Sequence, residues 1–182
     1  MIATRRANRL GVATFGDEQP KTLPPHQGRA GLVGLLAALE REPQAEGGGA
    51  TSLGSGIHRL AALARQRGVV VVVSDFRGPL DWRRPLLQLL GRHQVLAVEV
   101  RDPREQELPD VGELWLTDPE TGRQVRVDTR SRRLRDRFAA AAAEERTGVA
   151  RVLSALAVPH LVLSTDGDWL RPLAAFMGAG RR

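Results

Sequence analysis

The sequence predicts an α/β fold: a mostly parallel sheet with helices on both faces. Three observations carry that expectation. Residues 69–73 are five consecutive valines, and an apolar run without alternation is the pattern of a central parallel strand buried on both sides. A second compact apolar segment, residues 94–100, follows after a helix-like stretch. Strand-like and helix-like segments alternate along the chain, the order expected of parallel strands joined by crossover helices.

Taken in order, residues 3–9 read as the last turn of a helix, with arginines near its C-terminus and Asn8 able to cap it. Residues 10–15 read as a strand. Residues 16–28, with Pro20, Pro24 and Pro25, read as a loop. Leu32, Leu35, Leu36 and Leu39 recur at helical spacing, so residues 29–40 form a helix. A Gly-rich loop at 42–50 leads to a second helix at 52–67, capped by Thr51 or Ser52 and facing inward through Leu53, Ile57, Leu60, Leu63 and Ala64. The valine strand at 68–74 comes next. A helix at 81–90 starts on an Asp81 cap with Pro85 in its first turns.

The strand at 94–100 is followed by an irregular loop to residue 112. A hairpin insertion occupies about 113–128, turning at Asp118-Pro-Glu-Thr-Gly122. A long helix with an alanine-rich middle spans 131–156, open to interruption at Gly148. A last strand at 159–164 precedes a helix at 169–177 capped by Asp168.

The 182 residues suit one domain. The chain has no cysteine, which excludes disulfides, thiolate metal sites and cysteine nucleophiles. The formal net charge is +6, but the arginines are scattered among acids and only 4% of residues are aromatic, so nucleic acid is not an expected partner. The cluster Arg130, Arg132, Arg133, Arg135 and Arg137 is read as a solvated helix face. No apolar run reaches the roughly 18 residues of a membrane span, and the first ten residues lack a signal-peptide core. The expected location is the cytoplasm.

Few residues are placed to do chemistry. The glycines at 47–56 form neither a phosphate loop, since no Gly-Lys-Ser/Thr follows, nor a nucleophile elbow. The four histidines, 26, 58, 93 and 160, show no ligand spacing, and His93 and His160 read as structural. Asp75 ends the valine strand, and ligands of open α/β sheets gather at the carboxyl ends of strands. Asp102-Pro-Arg-Glu105 ends the next strand and is expected on the same rim. Its two acids suit partner binding, metal binding or acid/base work. Either set has a structural alternative, as a turn cap or a salt-bridged loop.

Several blocks, in order, resemble one family. They are Asn8-Arg-Leu-Gly-Val-Ala-Thr-Phe15, Leu23-Pro-Pro25, Ala50-Thr-Ser-Leu53, residues 69–76, His93-Gln-Val-Leu-Ala-Val98, Asp102-Pro-Arg-Glu105, Glu107-Leu-Pro-Asp-Val-Gly112 and Asp118-Pro-Glu-Thr-Gly122. Together they are similar to the bacterial "domain of unknown function 58" proteins, von Willebrand factor A-like and associated with MoxR ATPases. The resemblance implies a three-layer von Willebrand factor A-like fold with a metal-ion-dependent adhesion site. Thr51 matches the threonine of that site and Asp75 its later aspartate. The Asp-x-Ser-x-Ser loop is absent from this sequence.

The resemblance therefore implies a single incomplete domain over 1–182, truncated or read from a misplaced start, that lacks its first central strand. It also implies a partial site with at most weak Mg²⁺ binding. The expected function is a non-enzymatic protein-interaction module. Its partner is a MoxR-type AAA+ ATPase in protein assembly or maturation, contacted through Asp75, Arg77, Asp102 and Glu105. The alternatives are a small metal-dependent hydrolase or phosphotransferase using Asp75 or the Asp102/Glu105 pair, and a truncated inactive fragment. An aspartyl-phosphate enzyme wants a second Asp two residues after the first, and Arg77 stands there.

Overall fold

A computed structural model describes residues 8–16, 21–40, 52–117 and 123–179. The chain divides into two compact units. One comprises residues 1–65, 80–86 and 117–123, and the other residues 66–79, 87–116 and 124–182.

In the first unit, β1 (Arg9–Ala13) pairs antiparallel with β2 (Thr22–Gln27). Val12 lies opposite Leu23, and the register shifts between Leu10 and Val12. The expected loop at 16–28 is therefore corrected: its second half is a strand, despite Pro24 and Pro25. A two-stranded ribbon has only edge strands, where a missing backbone N–H is tolerated. The expected helix end at 3–9 lies outside the described residues, apart from Asn8 and Arg9.

Helix α1 (Gly28–Glu40) follows directly. Helix α2 (Leu53–Leu63) is capped by Ser52, whose hydroxyl accepts the backbone N–H of Ser55 at 3.0 Å. Asp81 does not cap its own helix as expected. It sits in a 3₁₀ turn (Leu80–Trp82) ahead of α3 (Arg83–Leu90), and its carboxylate accepts from the Ser52 hydroxyl at 2.6 Å and the Gly54 N–H at 3.3 Å. It thus caps α2, satisfying N-terminal donors that have no partner within the helix.

The glycines of that segment serve packing. A Cβ on Gly54 would lie 2.9 Å from the Asp81 backbone, and one on Gly56 2.8 Å from the Phe15 side chain. The close approach explains the glycines without any ligand.

The second unit holds a three-stranded parallel sheet in the order β3 (Val69–Ser74), β4 (Gln94–Arg101), β7 (His160–Ser164). Between β4 and β7 run a 3₁₀ turn (Pro103–Glu105), the antiparallel hairpin of β5 (Glu113–Thr117) and β6 (Gln124–Asp128), and α4 (Arg132–Ala155). The hairpin and both later strands fall where the sequence puts them. Helix α5 (Leu170–Ala179) packs on β7, as does α4.

One expectation about this sheet fails. The valines of β3 are not buried on both faces. Val70 and Val72 are buried, whereas Val69, Val71 and Val73 are exposed. The cause is position: β3 is the edge of the described sheet and β4 its centre. Val73 and its register partner Val98 share a face, yet Val73 is 52% exposed and Val98 5%.

Helix α4 passes through Gly148 without interruption. Five alanines at 139–143, the best helix formers, and its burial through Val149 and Leu153 sustain it. It ends on Ala157 in the left-handed region (φ +52°). There Val158 N–H donates to the Leu153 carbonyl and Ala157 N–H to that of Ser154, the pairing of a Schellman stop. That stop puts β7 immediately after the helix. No helix among the described residues is long and apolar enough to cross a membrane.

Candidate functional site

The carboxyl ends of β3 and β4 meet α4 at a small open cleft in the second unit. The loop after β3 builds one wall. Phe76 has φ +56° and its ring is buried. A left-handed, non-glycine residue carries strain that its surroundings must hold. The Ser74 hydroxyl accepts the Phe76 N–H at 3.1 Å, and Asp75 Oδ1 accepts the Arg77 N–H at 3.2 Å. Gly78, at φ +84°, donates its N–H to Glu145 Oε1 on α4 at 3.2 Å. With Phe76 anchored in the core, Asp75 and Arg77 on either side of it line the cleft.

Arg77 is the hub of the rim. Its Nη1 lies 3.3 Å from Glu105 and its Nε 3.8 Å from Glu145. All three side chains are between two-fifths and half exposed, so each pair contributes at most about 1 kcal/mol. The pairs fix geometry more than they add stability.

Below the rim, Glu99 of β4 is 2% exposed. Its carboxylate accepts Arg101 Nε and, at 3.0 Å, Arg101 Nη2, a two-pronged pairing. His160 Nε2 at the start of β7 lies 2.8 Å from Glu99 Oε2. The cluster ties β4 to β7.

The structure brings together three of the residues singled out: Asp75, Arg77 and Glu105 all line the cleft. Asp102 is not among its lining residues. It caps the 3₁₀ turn, with Oδ1 accepting the Arg104 N–H at 2.9 Å. The two acids of Asp102-Pro-Arg-Glu105 thus have separate partners, one a backbone N–H and the other Arg77. Thr51 lies outside the described residues.

Residues missed by sequence reasoning are Glu99, Glu145 and Arg146, which also line the cleft. Glu99 carried a readable signal, as a lone acid inside an apolar strand, since a buried charge demands a partner. Arg146 and Glu145 lie on α4, far along the chain, and nothing local marks them. Of the arginines at 130–137 expected on a solvated face, Arg130, Arg132, Arg133 and Arg137 are exposed, whereas Arg135 is half-buried: it bonds the carbonyls of Thr129 and Arg130 and lies 3.0 Å from Asp110.

Of the residues implied to hold Mg²⁺, the described ones supply Asp75 alone. Asp75 offers one exposed carboxylate already accepting the Arg77 N–H and the Ser74 hydroxyl, with the Arg77 guanidinium in the same cleft wall. Among the described residues no three histidines, cysteines or acids cluster as ligands.

Comparisons with known proteins bear on identity. "Uncharacterized protein Rv1480" of Mycobacterium tuberculosis is 41% identical over 177 residues, covering 96% of this chain and 55% of that protein. A Mycobacterium bovis relative, "Uncharacterized protein Mb1516", matches to the same extent. The chain thus spans about half the length of these curated relatives. "Uncharacterized protein MAV169" of Mycobacterium avium is 42% identical over 162 residues, covering 88% of this chain and 94% of that protein. Among solved structures, an uncharacterized membrane spanning protein from Vibrio fischeri aligns over 98% of this chain and 78% of its own at 18% identity, but with a TM-score of 0.28, too slight a likeness to carry any argument. The model of the family described as "Protein of unknown function DUF58" matches residues 1–148. With that match and relatives above 40% identity along most of its length, the chain belongs to the DUF58 family.

Proposed function

We propose that this chain is a protein-interaction module that engages its partner through the rim at the carboxyl ends of β3 and β4. The observation that carries the reading is the convergence of Asp75, Arg77, Glu105 and Glu145 around one cleft. Charged side chains held at the ends of parallel strands by a strained, well-anchored turn form a preset contact surface, and ligands of open α/β sheets collect there.

The cleft lacks an assembled nucleophile, base and oxyanion hole among the described residues, and Asp102 and Glu105 are engaged separately. A binding role fits these groups better than acid/base work. The partner proposed is a MoxR-type AAA+ ATPase, in protein assembly or maturation, and the fold proposed is a three-layer von Willebrand factor A-like one. The parallel order β3-β4-β7 with Asp75 at a strand end supports the fold reading. Mg²⁺ is at most a weak ligand under this reading.

The test is a pull-down with a MoxR-type ATPase from the same organism, comparing wild type with Asp75→Ala and Arg77→Glu. Loss of recovery by either variant, with an unchanged melt, supports the reading. Equal recovery of all three proteins removes the rim from the interface, and no recovery by wild type removes the ATPase as partner.

A further inference from the structure

Arg146 lines the cleft from α4, and its Nη1 is buried without a hydrogen-bond partner among the described residues. That sets it apart from its neighbours. Arg77 is shared by Glu105 and Glu145, Arg101 is paired with Glu99, and Glu99 also takes His160. Asp75 accepts a backbone N–H. A guanidinium N–H withdrawn from water with nothing to donate to is costly, and native structures keep such groups for a reason.

From this we infer that the cleft seats one carboxylate of a protein partner, from an acidic side chain or a chain end, against the Arg146 guanidinium. This deepens the rim-docking reading and rests on it. Two features select the ligand. The lining already holds four carboxylates against three guanidinium groups, so a dianion such as phosphate meets repulsion that a monoanion meets less. An arginine fork also matches the planar geometry of a carboxylate.

The experiment titrates the whole chain with two monocarboxylates and one control anion, followed by backbone and arginine side-chain NMR. N-acetyl-aspartate N-methylamide stands for an acidic side chain, N-acetyl-alanine for a chain end, and inorganic phosphate is the control. At least one carboxylate is expected to give saturable shifts at Arg146 and at neighbouring cleft residues, and the tighter of the two identifies the source. Arg146→Met is expected to weaken that binding roughly tenfold, the loss of one charge-assisted hydrogen bond. Arg146→Lys, which keeps the charge without the fork, falls between, and it reports on the site if Met is not tolerated in the fold.

Phosphate binding more tightly than both carboxylates overturns the inference. So does equal binding by wild type and the Arg146 variants, or no saturable binding by wild type. None of these readouts uses the ATPase, so a failed pull-down and a failed titration point to different errors.

Discussion

Strands β3 and β4 lie side by side in one parallel sheet, and the more apolar of the two is the less buried. β3 carries five consecutive valines, three of them exposed. β4 carries a glutamate and an arginine, yet Val95, Ala97, Val98 and Glu99 are all buried. Burial in a sheet follows strand order more than composition. A central strand is flanked on both edges and shielded by what covers its neighbours. The strand at the described edge keeps one covered face and one open one, whatever its residues.

The comparison can be broken at Glu99. If β4 is interior, Glu99→Ala strands the part-buried Arg101 and His160 and is expected to cost about 2–4 kcal/mol. Urea unfolding at constant m-value measures it. A loss below that of any β3 valine would place Glu99 nearer water than described. Next in size is the covered face of β3: Val72→Ala removes two buried methyl groups and is expected to cost about 1.5–3 kcal/mol. On the open face, Val71→Ala is expected to cost less than about 1 kcal/mol, and Val71→Thr to stay within about 0.5 kcal/mol of wild type. A similar loss at Val71 and Val72 would erase the difference between the two faces.

Smallest is the rim. Arg77→Ala is expected to change stability by less than about 1 kcal/mol, because its partners are exposed. Its larger effect is on partner recovery.

The same contrast shows what was legible in the sequence. Strand and helix order in the second unit could be read from periodicity: β4, the hairpin, α4 and β7 stand where patterns put them. The cap Asp168, and Ser52 as one of the two residues offered for α2, were readable because their bonds are local. β2 was hidden by Pro24 and Pro25, whose cost disappears in a two-stranded ribbon.

The open face of β3 was hidden because a homopolymeric run has no alternation, so it cannot report which side is covered. Asp81 was assigned to the nearest helix, but its partners on α2 lie 27 and 29 residues back. The rim was half legible. Asp75, Arg77 and Glu105 follow from the rule of strand ends, while Glu145 reaches Gly78 across 67 residues and only the folded chain brings it there.

The central claim is that β3 has one open and one closed face and so delivers Asp75 and Arg77 from an edge strand. The chain has no cysteine, so single thiols at Val71→Cys and Val72→Cys report on the two faces without background. Under native conditions an aromatic disulfide reagent is expected to label Val71→Cys rapidly. Val72→Cys is expected to react orders of magnitude more slowly, through unfolding or local opening. Equal protection of the two thiols would contradict the account, since it would mean that both faces of β3 are covered.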